Sequence, residues 1–188
     1  MIADPAEGIH LTDEQMLVMI SSNFYAASTF TLRLFIGTLA MAMATHQDIY
    51  QRVRADRSLI PVCVDEVLRW DPPAQANNSA IATADHRYGD VVFPAGAAVT
   101  AMVGAANRDP AQFVDPDLLR LDRDPHRNLT FAPGVHQCLG THQAHLAVGV
   151  TLDAMADHLP KFGYDAAASR RFVGDRFRGF DRLVVHRG

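Results

Sequence analysis

Between Gln15 and His46 the chain contains no proline and a single glycine, Gly37. A stretch of that length without a breaker predicts one long helix, spanning about residues 11–46. Thr12 supplies an N-cap, and Asp13 and Glu14 place two carboxylates at the positive end of the helix dipole. Apolar side chains then fall on nearly every face, from Met16, Leu17 and Ile20 through Phe24 and Tyr25 to Leu34, Phe35, Leu39 and Met43. A helix that is apolar all round is either a membrane span or the buried axis of a larger fold. Ser21, Ser22, Asn23, Ser28, Thr29 and Arg33 interrupt the run too often for a sustained span. No membrane association is expected, and the buried axis is the favoured reading.

The remaining composition is that of a globular chain. Its 188 residues are 48% hydrophobic, with 17 Lys and Arg against 21 Asp and Glu for a net charge of −4. A pI of about 6.1 leaves no basic footprint for nucleic acid. Two cysteines, Cys63 and Cys138, are too few for a disulfide scaffold and suggest reduced thiols in a cytoplasmic protein. Met1-Ile2-Ala3-Asp4-Pro5 shows neither a basic nor an apolar leader, so no signal peptide is expected. Length alone predicts one domain.

Along the chain, a short helix is expected over 48–55, with Arg52 and Arg54 facing water, and a third over 59–70, stopped by Asp71-Pro72-Pro73. Residues 75–105 read as short strands at 80–83, 90–93 and 99–103. A polar meander carrying Asp-Pro steps at 109, 115 and 124 leads into a loop ending at Gly140, so that 107–140 forms one irregular segment. Such a long loop usually carries function. An amphipathic helix over 139–159 shows Leu139, Leu146, Val150 and Met155 near one stripe. The tail, 162–185, suggests a hairpin turning near Gly179. Arg170, Arg171 and the run Arg176 to Arg182 read as a solvated basic face, and His142 and His145 as surface positions.

The segment that carries chemistry is Phe131-Ala132-Pro133-Gly134-Val135-His136-Gln137-Cys138-Leu139-Gly140. A Gly and Pro loop presents one thiol just ahead of a helix, whose start favours the metal-binding thiolate. Gly134 and Gly140 permit close approach of something flat and large. The spacing Phe-x-x-Gly-x-His-x-Cys-x-Gly resembles the haem-thiolate loop of the cytochrome P-450 family. Glu66 and Arg69, three apart on one helix face, resemble that family's Glu-x-x-Arg pair, with Arg123 as the cation joining it from the meander. From residue 11 onward the chain resembles the C-terminal half of a bacterial member: mainly α with small β-sheets, an α+β fold starting at the long distal helix. On that reading residues 1–188 are a single truncated domain of the family.

The resemblance implies specific roles. Cys138 is expected to ligate the iron of haem b (iron protoporphyrin IX), with retention of the haem left open. His136 would donate to a propionate, Phe131 would pack near the sulfur, and Gly134, Gly140 and Arg127 would complete the cofactor site. Asn23, Ala27, Gln75, Asn78, Phe177 and Gly179 would line a pocket for an apolar or aromatic small molecule. A ferredoxin-type donor would supply electrons.

Three departures qualify these expectations. The family usually carries an acid and a threonine on the distal helix, yet no Asp or Glu occurs between Glu14 and Asp48. Counting back from Gly37 and His46 puts Phe30 at the acid and Thr31 at the threonine; counting forward from Leu11 gives Thr29 and Phe30. The backward count is preferred, because a gap inside a helix is tolerated less than one near its start. Proton delivery needs a titratable group within reach, so oxygen activation is expected to be impaired or atypical. Ala80 and Asn128 stand where the family places propionate-binding Arg and His; Arg127 or His126 would have to compensate. Finally, everything the family places ahead of the distal helix is missing, leaving apolar surface that soluble monomers avoid. A homodimer or a partner chain is expected to cover it. Three readings follow: a haem-thiolate, monooxygenase-like enzyme; a redox-inactive protein of the same fold, either a cofactor-free enzyme or a helper; and an inactive remnant.

Overall fold

The computed structural model describes residues 11–123 and 128–188. Its axis is α1, a continuous helix from Asp13 to Thr45. Thr12 and Gln15 cap its start reciprocally, each side chain bonding the other's backbone N–H. Within it, Met19–Ala26 is wound as a π-helix, a local widening the sequence did not announce. Such bulges mark functional stretches of helices more often than chance.

By length and composition α1 could cross a bilayer. Its C-terminal half is instead the centre of the core. Leu34, Phe35, Leu39, Ala42 and Met43 are buried there. Against them pack α2 (Gln47–Ala55) through Ile49, Tyr50 and Val53, and α3 (Ile60–Trp70) through Cys63, Val64, Val67 and Leu68. The last core helix, α5 (Thr141–His158), contributes Val148, Leu152 and Ala156. Hydrogen bonds stitch the layers: Tyr50 Oη donates to the Leu159 carbonyl at 2.8 Å and Arg54 Nε to that of Ala156 at 3.0 Å. Arg54 is therefore half-buried and committed to α5, not facing water as expected.

Between α3 and α5 the chain is largely irregular. β1 (Ala80–Ile81) pairs with β4 (Ala98–Val99), and β2 (His86–Tyr88) with β3 (Val91–Phe93), both antiparallel. The strand expected over 99–103 is thus only its first residue. Val103 begins a single helical turn, α4 (Val103–Ala106), in which Ala106 N donates to the Met102 carbonyl and Gly104 N to that of Gln75. The stripe read on α5 is also corrected. Leu139, Leu146 and Val150 are exposed, and the buried face is Val148, Leu152 and Ala156. Counting from Leu139 set the wrong phase, because Leu139 precedes the helix.

The tail forms two antiparallel pairs, β5 (Phe162–Tyr164) with β8 (Val185–Arg187) and β6 (Arg170–Val173) with β7 (Arg178–Arg182). Gly179 lies inside β7, not in the turn expected there. Its role is close approach: a Cβ at this position would stand 2.7 Å from Leu34 Cβ and 2.9 Å from Leu34 Cα. Backbone cannot yield as a side chain can. Gly179→Ala is therefore expected to cost about 1–3 kcal/mol by pushing the hairpin off α1, measurable as a lower urea midpoint with unchanged m-value.

The basic tail is likewise more structural than a solvated face. Asp71, buried at the end of α3, accepts from Arg171 Nη1 at 3.2 Å and from Arg178 Nη2 at 2.5 Å. These pairs tie the hairpin to α3.

Candidate functional site

The site is assembled from a buried ion triad upward. Glu66 and Arg69 occupy one face of α3 and are 4% and 2% exposed in their side chains. Arg69 Nε donates to Glu66 Oε2 at 2.8 Å and its Nη2 to Oε1 at 2.8 Å, a bidentate pair. Arg123 Nε reaches Oε1 at 2.9 Å, and so does the backbone N–H of Arg120, also at 2.9 Å. The two guanidinium groups spend their other donors on carbonyls of the meander: Asn107 and Pro116 from Arg69, Asp115 and Val114 from Arg123. Four donors converge on one carboxylate, which fixes an otherwise irregular segment.

The meander delivers the thiol loop through Asn107, a fully buried side chain. Asn107 Oδ1 accepts from Leu129 N at 2.7 Å, and Nδ2 donates to Thr130 Oγ1 at 3.0 Å. Thr130 Oγ1 in turn donates to the Leu68 carbonyl at 2.9 Å. The start of the loop is so anchored on α3.

From there Phe131 to Cys138 close a tight loop: Cys138 N donates to the Phe131 carbonyl at 3.0 Å, and Gln137 N to that of Gly134 at 3.0 Å. Gly134 at φ +119° supplies a conformation closed to other residues, and Ala132 is held at +50°. At the end of the loop Thr141 Oγ1 donates to the Cys138 carbonyl at 2.7 Å, just as α5 begins. Cys138 is exposed. The other thiol, Cys63, is buried, and burial first and Glu66 second push its pKa up to about 12. Only Cys138 is therefore available as a ligand.

Its surroundings suit a large, flat, apolar group. Val135 and Leu139, two aliphatic side chains on the same loop, are 98% and 92% exposed. Beside them lies a groove of about 210 Å³ lined by Met102, Val103, Ala106, Leu129, Ala132 and Pro133, among others. His136 is also exposed on the loop. Arg127 and His126 lie outside the described residues. Among the described residues no cluster of three or more His, Cys, Asp or Glu is placed to hold a metal ion. A porphyrin brings most of its metal's ligands with it, so one exposed thiol completes such a site.

The three segments expected to line a pocket meet at one place. Phe30 of α1 stacks edge-on against Phe177 at 5.3 Å and Phe172 at 5.6 Å between ring centroids. Phe177 bridges to Ala74, and Gln75 N donates to the Arg176 carbonyl at 2.7 Å. Arg176 Nη1 donates to Asn78 Oδ1 at 2.6 Å. The Gln75 side chain, by contrast, folds back to donate to the Pro72 carbonyl at 2.6 Å and packs against Gly104. Asn23 and Ala27 are exposed on α1. Thr29 and Thr31 donate to the carbonyls of Tyr25 and Ala27 at 2.7 and 2.8 Å.

The sequence matches the family model described as cytochrome P450 over residues 4–159. The chain belongs to the cytochrome P450 family. Among curated P450 relatives it is 32% identical over 161 residues to the cyclomarin C epoxidase CymV of Salinispora arenicola, covering 86% of this chain and 40% of that one. It is 35% identical over 150 residues to the vitamin D3 dihydroxylase of Streptomyces griseolus, covering 80% and 36%. Among solved structures, HmtN, a post-tailoring hydroxylase involved in himastatin biosynthesis, superposes with a TM-score of 0.90 at 31% identity, covering 97% of this chain and 49% of the other. The chain therefore spans less than half the length of these relatives. The mainly helical α+β fold with small sheets is the P450 fold over the part it covers. The P450 family implies haem, and the exposed thiol, its aliphatic flanks and the neighbouring groove fit that group.

Asp71 and His145 also escaped sequence reasoning. Asp71, with its two arginines, has no local signal, because its partners are about a hundred residues away. His145, expected at the surface, is half-buried and bonded to Asp65.

Proposed function

We propose that the chain is a haem-thiolate oxidoreductase of monooxygenase type, acting on an apolar or aromatic small molecule, with Cys138 as the iron ligand. The observation that carries this reading is the exposed Cys138 thiol on a loop anchored by Asn107, between two uncovered aliphatic side chains. Phe131, Gly134 and Gly140 would frame the cofactor, and His136 would donate to a propionate. Haem bound through a thiolate supplies the oxidising power for oxygen insertion into an apolar substrate.

The chain's own contributions are mostly positional. The Glu66–Arg69–Arg123 triad holds the meander, and the meander holds the loop. Phe30, Phe172 and Phe177 offer an aromatic wall, with the Arg33 guanidinium 5.5 Å from the Phe30 ring centroid, which suits an apolar or aromatic guest. Thr31 spends its hydroxyl proton on the Ala27 carbonyl, so it presents only lone pairs to a ligand. With no carboxylate on α1 between Glu14 and Asp48, proton delivery falls to water or to another chain, and oxygen activation is atypical. The exposed first half of α1, including Leu17, Ile20, Phe24 and Tyr25, is the surface that a second copy or a partner chain would cover. A ferredoxin-type protein would serve as electron donor.

Titration of the purified chain with haem, followed by reduction under carbon monoxide, tests this reading. One haem per chain and the red-shifted Soret band of a thiolate complex are expected; no uptake overturns it. The absence of any carboxylate on α1 beyond Glu14, with Phe30 packed against the hairpin, favours one second reading, a redox-inactive member of the fold. A chain that takes up no haem yet binds or converts a small molecule would establish it.

A further inference from the structure

His145 stands on the second turn of α5, and both its ring nitrogens face acceptors. Nδ1 lies 2.8 Å from the Thr141 carbonyl, and Nε2 lies 2.7 Å from Asp65 Oδ1 on α3. A neutral imidazole carries a single N–H and can serve only one of them. Serving both requires the imidazolium. The same ring packs on Phe131, with centroids 5.1 Å apart and planes inclined at 44°. Phe131 is the residue whose carbonyl holds the Cys138 N–H.

We infer that His145 is a positioning residue for the thiol loop: its imidazolium ties α5 to Asp65 of α3 and seats the Phe131 ring, and deprotonation releases the loop that presents Cys138. The consequence for a ligand at Cys138 rests on the reading proposed above, whereas the clamp is a property of the haem-free chain.

The surrounding charges agree. Among the described residues Asp65 is the one charged group acting on the ring, and its hydrogen bond is the largest cause of a pKa raised above the ordinary imidazole value; partial burial opposes it, and the Thr141 carbonyl adds to it. Glu66 and Arg69, on the same helix as Asp65, are bonded to each other and to the meander. On α5 itself His142 is exposed, and from the loop the uncharged Phe131 faces the ring while His136 and Cys138 are exposed. Because the folded pKa lies above the unfolded value of about 6.5, the clamp is complete below that value. It is lost as pH rises through the folded pKa.

The test uses the full haem-free chain. Imidazole NMR reads the titration of His145, and amide hydrogen exchange, corrected for its intrinsic pH dependence, reads Cys138 N–H between about pH 6 and pH 9. In the wild type the protection of Cys138 N–H is expected to fall by roughly tenfold in step with His145 deprotonation, as for the loss of one charge-assisted hydrogen bond. His145→Arg, a permanent cation, should keep protection and abolish the step. Asp65→Asn should lower the His145 pKa and move the step with it; it carries the test alone if His145→Arg does not fold. A wild-type His145 titrating at or below the ordinary value, or a Cys138 amide whose protection shows no step, overturns the inference. A step seen in a chain that takes up no haem leaves the clamp standing and sinks the haem reading alone.

Discussion

Glu66→Ala is expected to lower the unfolding free energy by about 3–5 kcal/mol, the range for removing one partner of a buried ion pair. The magnitude follows from what is left behind. Arg69 and Arg123, 2% and 10% exposed in their side chains, would keep their positive charges and lose the carboxylate they share. The Arg120 N–H loses its acceptor as well. Backbone carbonyls of the meander still accept from both guanidiniums, but they carry no countercharge. Against a typical total of about 5–15 kcal/mol, such a loss unfolds a large fraction of the chain or melts residues 107–123. Urea titration followed by circular dichroism measures it. A loss below about 1 kcal/mol would mean that the triad is not what anchors the meander.

Cys138→Ala is expected to do the opposite: leave the fold intact and remove the chemistry. The side chain is exposed, so unfolding should shift by no more than about 0.5 kcal/mol. The reduced carbon monoxide complex, however, should lose its red-shifted Soret band completely, since no second thiol can replace the first. Cys63 is the control. It is buried in the core, with its pKa pushed up to about 12, and makes a 3.8 Å contact with the Met43 sulfur. Cys63→Ala should cost core stability and leave the thiolate band where it was. If the Cys138 variant kept the band, the ligand would have to be sought elsewhere.

These two predictions show which parts of the molecule the sequence makes legible. α1 could be read because helical periodicity, caps and the absence of breakers are local signals, and the Cys138 loop because its glycines and thiol have fixed spacing. Glu66 and Arg69 are adjacent on a helix, so their pairing is visible in the sequence as well. What stayed hidden depends on distance along the chain. The Asp71 pairs with Arg171 and Arg178, the Asn107 anchor of Leu129 and Thr130, and the Asp65–His145 bond join residues that no window contains. Two local signals also misled. Leu139 reads in the sequence as the start of the buried stripe of α5 but belongs to the exposed loop, and Gly179 reads as a turn residue but is a contact with Leu34 inside a strand. The π-wound stretch of α1 over Met19–Ala26 has no counterpart in hydrophobic pattern at all. Ser21 and Ser22 within it, and Ser28 and Thr29 just after it, bond carbonyls three or four residues back, a habit that loosens helices.

On the function proposed above, Cys138 holds an iron through sulfur. Iron-edge X-ray absorption of the haem-loaded chain tests it most directly. A sulfur bonded to iron, present in the wild type and absent from Cys138→Ala, is the predicted result. Iron surrounded only by nitrogen and oxygen in the wild-type chain would rule out Cys138 as its ligand.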